Sequence, residues 1–212
     1  MANAASVVSG QQWSQRRLLE SLVPWVLFSL IVERRGSSAA GIAGLAAAAL
    51  SFYFLLRHRA QGLKLLDVWV FSVFAAMAVL AFASDGSFQT DIVDYSRGIV
   101  GVALAVVMLG SAATFPFTEQ YARDVIPRDQ WSKPTIRAAH RRLSAIWGLA
   151  VLVVAACHLY AGHEQHSHDL SLTKNVVFNW VVPAVLLGIA SFATRKHQAA
   201  VKRPESPSAV AS

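Results

Sequence analysis

The sequence predicts an all-α fold, a polytopic transmembrane bundle of about six spans, and three observations carry that prediction. Apolar blocks of near-span length recur along the chain. Charged residues make up only 15% of the 212 residues against 55% apolar, where a soluble domain carries about 25% charged. Lys and Arg also gather in alternate connections between the blocks, as expected of a chain threaded back and forth through a bilayer.

Taken in order, residues 1–17 form a small, polar N-terminus without the basic start and immediate apolar run of a cleaved signal peptide. The transmembrane domain is expected over 18–192. Its first block, 18–32, is short and holds Glu20 and Pro24. It is read as a span on charge grounds, and the total falls to five if it lies in the interface. Five further blocks follow, at about 39–56, 65–82, 99–117, 143–160 and 176–192. Each approaches the roughly 20 apolar residues that a bilayer core requires. Helices are the expected spanning structure, because lipid offers no partner to an unpaired backbone group and the period-2 polarity of a barrel is absent. The block at 39–50 is rich in Gly and Ala. Helix propensity explains the alanines, but Gly41 and Gly44 suggest close helix approach, either centrally in the bundle or at a dimer contact. Residues 193–212 are expected to form a disordered, basic tail.

The charge pattern orients the chain. One side receives Arg16, Arg17, Arg57, Arg59, Lys64, Arg123, Arg128, Lys133, Arg137, Arg141, Arg142, Arg195, Lys196, Lys202 and Arg203. The other receives only Arg34, Arg35, Arg97 and Lys174. With six spans this asymmetry places both termini in the cytoplasm of a cell with an inner (plasma) membrane, Arg34–Arg35 being the discordant pair. A net charge of +7 and pI near 10.1 can signal nucleic acid. Here the basic residues sit at block ends, where lipid headgroups lie, so no nucleic-acid partner is expected. The single cysteine, Cys157, lies in an apolar block and reads as a buried, inert thiol. Trp25, Trp69, Trp131 and Tyr160 near block ends read as aromatic belts.

Polar candidates are few. His158, His163, His166, His168 and Asp169 crowd one connection, and Asp91 and Asp94 fall on the same side. Imidazole suits zinc, copper or nickel, so a divalent transition metal is the alternative to the expectation of no cofactor. The plainer reading is a solvated, His-rich loop. A haem pair would need facing histidines; His140 and His158 flank one block, and no second histidine sits at an outer span end on a different helix. Asp67, near the start of its block, can pair with Arg57 or Lys64. Asn179, four residues before Pro183, is either a broken-helix substrate site or an interhelical hydrogen bond beside a kink, the latter favoured. No titratable group is expected near the middle of a span, which argues against a proton-coupled transporter. No catalytic motif is present, and no enzyme is expected. The connection around 115–142 mixes Tyr121 and Trp131 with Arg123, Arg128 and Arg137. It can contact anionic lipid or a partner protein, or simply pack under the bundle.

Several segments together resemble one family. Leu22-Val-Pro24-Trp-Val-Leu-Phe28 stands early, and an alanine-rich block closes on Phe52-Tyr-Phe-Leu-Leu-Arg57-His-Arg59. Ile126-Pro127-Arg-Asp-Gln-Trp131 precedes a block that holds Trp147 and ends in His158-Leu-Tyr160. Asn175-Val-Val-Phe-Asn179-Trp180 opens the last. This order is similar to that of the intracellular septation protein A (YciB-like) inner membrane proteins. Their Asn-x-Tyr ending has His158 in place of Asn here, and their Trp-Val-Asn-Phe-Lys order is not reproduced near Trp180. The resemblance implies a non-enzymatic inner membrane scaffold in cell division and envelope synthesis. Its partners would be membrane lipids, other envelope or division proteins, and a second copy of itself. The runner-up is a small transporter or channel, metal-linked through the outer histidines.

Overall fold

The computed structural model describes residues 17–33, 38–124, 128, 131 and 134–201. Residues 1–16, the Arg34–Arg35 pair, Lys133 and the tail from 202 lie outside the described residues. Among the described residues there is no strand. The helices are α1 (Val23–Val32), α2 (Ala39–His58), α3 (Leu65–Ala83), α4 (Gly86–Ala113), the short α5 (Phe117–Ala122), α6 (Pro134–His166), α7 (Leu172–Val176) and α8 (Val182–Val201). A π-helical turn at Val177–Val181 joins the last two. Among the described residues five helical stretches are long and apolar enough to cross a membrane: Ala39–Gln61, Leu65–Ala83, Phe88–Ala113, Pro134–His166 and Leu172–Lys196. This is an all-α polytopic bundle.

The first block has its own form. Residues 17–20 are helical, a turn follows, and α1 adds only ten residues, about 15 Å of helix. Pro24 sits in the first turn of α1, where its missing N–H costs nothing. Trp25, Phe28 and Val32 are buried on one side, while Val26 and Leu30 are about half exposed on the other. Arg17 meets Asp67 at the start of α3, and Glu33 meets Arg97 of α4 and Asn175 of α7. The block therefore reaches from one end of the bundle to the other. The end holding Arg17, Asp67 and Asp124 is called the basic end below, and the opposite one the histidine end.

Packing follows small residues. A Cβ on Gly44 of α2 would lie 2.8 Å from the backbone nitrogen of Ala78 in α3, so these helices touch backbone to backbone. The Gly/Ala face is thus used inside the chain. Helix α4 packs most extensively on α6, and Trp147 of α6 donates to the Thr194 hydroxyl of α8 at 3.0 Å. The core runs through Phe28, Phe74, Leu104, Met108, Trp147 and Val151, all with almost no exposure.

Several boundaries differ from the sequence reading, among them those of the block expected at 143–160, which is helix from Pro134 to His166. Helix α4 begins at Gly86, thirteen residues before the apolar run at Ile99; its first turns are polar, and burial begins at Ile92. Helix α8 continues past residue 192 to Val201, into the expected tail. The connection after α4 contains α5, whose Phe117 and Tyr121 are buried.

Candidate polar sites at the two ends of the bundle

At the basic end Asp67 stands in the first turn of α3, where the helix dipole favours a carboxylate. The partner is Arg17, whereas the sequence suggested Arg57 or Lys64. Distance along the chain hid it. One Asp67 oxygen accepts from Arg17 at 3.1 Å, the other from the Ser21 hydroxyl at 2.5 Å and the Tyr121 hydroxyl at 2.7 Å. Arg17 also donates to Asp124, Gln61 and the Gly62 carbonyl. Lys64 donates to Asp124 at 2.6 Å and to the Gln120 carbonyl at 2.8 Å. Burial first, and the Asp67 carboxylate second, raise the Tyr121 pKa well above the ordinary tyrosine value, so the phenol remains a donor. His58 of α2 lies 3.4 Å from Glu20 at the same end.

The residues read as a lipid or partner contact divide. Tyr121 is only 2% exposed and belongs to the Asp67 network. The others gather on the surface. Arg123, Trp131 and Arg137, with Glu119, line one groove of about 310 Å³. The Arg123 guanidinium lies 4.5 Å from the Phe115 ring centre and 4.9 Å from that of Trp131, and Arg128 lies 5.9 Å from the latter. Glu119 accepts from Arg123 at 2.7 Å.

The histidine end holds a constellation that the sequence did not reveal. Arg97, read as a loop residue, lies inside α4 and is 8% exposed. It pairs with Glu33 and donates to the Ser29 carbonyl at 2.7 Å. Asn175 donates to Glu33 at 2.6 Å, and Asn179 donates to Asn175 at 2.6 Å. Arg97 and His158 are thus titratable groups buried in span helices toward this end of the bundle, a burial the sequence did not show. Pro183 lacks the N–H that would bond the carbonyl of Asn179, and the π turn carrying Asn179 absorbs the mismatch. Asn179 itself bonds within its own helical run, to Asn175, and it is Asn175 that reaches Glu33 of the first block.

The crowded histidines separate. His158 is 3% exposed, edge-on to Trp25 with ring centres 5.5 Å apart. Trp25 is buried there and is not part of a surface belt. His163, His166, His168 and Asp169 are exposed. His166 lies 3.2 Å from Asp94 and 3.6 Å from Asp91. Among the described residues no three His, Cys, Asp or Glu side chains converge in a group able to hold a metal ion. Cys157 is free and half-buried.

Fold and sites together define a multi-pass α-helical membrane protein. No protein-family model, curated protein or solved structure matches the chain.

Proposed function

We propose that this chain is a non-enzymatic protein of an inner (plasma) membrane, with both termini cytoplasmic, acting as an interaction scaffold in envelope synthesis and septation. The observation that carries the reading is the groove at the basic end. Arg123, Arg137 and Trp131 line it with Glu119, and Arg128 lies beside the Trp131 ring; in this reading the surface faces headgroups and cytoplasmic partners. The likeness of the segments around Pro24, Arg57, Trp131 and Trp147 to septation protein A supports the cellular role. Clamps at both ends of the first block suit a rigid platform better than a moving carrier. The test replaces Arg123, Arg128 and Arg137 with Gln in cells that depend on the protein. Loss of partner crosslinks and altered septum spacing, with membrane insertion intact, are expected. Unchanged crosslinks and unchanged septa would refute it.

A second reading, a small transporter or channel, is favoured by one observation, the buried polar pocket around Arg97 and His158. It predicts that His158→Phe abolishes solute movement in reconstituted vesicles while the arginine variants do not.

A further inference from the structure

Between α1, α4, α6 and the π turn lies a cavity of about 10 Å³, lined by Glu33, Asp94, Arg97, His158, Gln165 and Asn179 among others. That is room for about one water molecule. Three buried polar groups around it have no hydrogen-bond partner. They are both ring nitrogens of His158, the side-chain oxygen of Asn179 and, behind the imidazole, the indole N–H of Trp25. Backbone groups of Asn179 and Arg97 approach the imidazole, but neither meets it in hydrogen-bond geometry. An orphaned buried donor or acceptor is costly anywhere, and in a membrane bundle no solvent relieves it. Such a group calls for an occupant.

The chemistry of the lining selects the occupant. Asn179 offers an acceptor, and a neutral imidazole offers one donor and one acceptor. A water molecule complements both. The charges point the same way. Facing His158 are Glu33 from α1 and Asp94 and Arg97 from α4; the last helix contributes only the amides of Asn175 and Asn179, and α6 itself adds Gln165. Glu33 and Arg97 cancel as a pair. Asp94 leaves one negative charge, held by Gln165 at 2.7 Å and touched from the exposed side by His166. An anion would add to that charge, so a neutral water fits the site.

We propose that this cavity is an internal water site that makes His158 a proton-binding group reached from the histidine end. The bridging water gives one proton to the imidazole lone pair and takes one from a hydronium ion of the solvent at the Asp94–Gln165 side, which is left as water. One proton enters, the water is restored, and no other bond changes. This site is independent of the scaffold reading, which rests on the opposite end of the molecule.

The test uses the full chain in lipid nanodiscs with nitrogen-15 in its histidine rings. Water-edited spectra are recorded between about pH 4 and pH 8, the range in which imidazoles report. His158→Phe assigns the signal by its absence. Should that variant not fold, a chain with its six other histidines changed to Gln leaves His158 as the sole signal. The wild-type ring is expected to correlate with water and to protonate reversibly within this range. Asn179→Leu is expected to lose the water correlation, and Asp94→Asn the protonation. A dry ring overturns the proposal, as does a hydrated ring that stays neutral down to about pH 4.

Discussion

Replacing Asp67 by Ala tests the account of the basic end most sharply. The carboxylate is 7% exposed and accepts three hydrogen bonds, from Arg17, Ser21 and Tyr121. Removing one partner of a buried ion pair costs about 3–5 kcal/mol, because the remaining charge stays buried. Arg17 keeps Asp124 at 3.3 Å, Gln61 and the Gly62 carbonyl, so the loss belongs at the low end, about 3 kcal/mol. That is roughly a 100-fold change in the folding equilibrium, at about 1.4 kcal/mol per tenfold. Tyr121→Phe removes only one of the three bonds and should cost about 1 kcal/mol. Arg17→Met with Asp67→Leu removes both charges and should cost less than Asp67→Ala alone. Reversible unfolding in mixed micelles, followed by tryptophan fluorescence, measures all three. If Asp67→Ala costs no more than Tyr121→Phe, or if the double variant costs the sum of its singles, the network is not a buried charge clamp.

Three further outcomes are expected. Gly44→Val drives a side chain into the Ala78 backbone and should cost about 1–3 kcal/mol, whereas Gly110→Ala, with nothing within 4 Å, should be nearly neutral; the same unfolding assay compares them. Thr194→Val leaves the Trp147 indole N–H, 1% exposed, without its acceptor. It should cost about 1–3 kcal/mol and speed hydrogen exchange across α8, read by mass spectrometry. Tyr121 has its folded-state pKa raised above the ordinary value of 10.0. Its contribution is therefore full below that pH and lost as pH rises through the higher folded value, where the phenol ionises in the bundle too. Wild-type stability should fall above about pH 10 relative to Tyr121→Phe, measured by unfolding in detergent across that range.

What the sequence disclosed and what it withheld have a common physical cause. Long spans declare themselves because lipid demands some 20 apolar residues in a row, a local property. Gly41 and Gly44 were legible too, since only close packing explains glycine in an alanine helix. The ion pairs were not. Arg17 and Asp67 are 50 residues apart, Arg97 and Glu33 are 64 apart, and Asn175 lies 142 beyond Glu33. No periodicity links such positions. Arg97 was further hidden because the apolar window starts after it, at Ile99, while the helix has already run from Gly86. His158 was visible only as one member of a His-rich stretch. Helical phase separates it from its neighbours, turning it toward Trp25 while His163 and His166 face outward. The groove of Arg123, Trp131 and Arg137 was readable as composition, and it was the fold that set Tyr121 apart from it.

The clamps on the first block also bear on how the chain is built. Helix α1 is ten residues long and is bracketed by Arg17 and Glu33. Each of these charges lies at an end of the bundle, where a later segment supplies its partner. The residues that pair with these two charges are synthesised later: Asp67 with the third block, Arg97 with the fourth, and Asn175, which donates a hydrogen bond to Glu33, with the last. The first block is thus expected to settle only once α3, α4 and α7 are in place to hold its two ends.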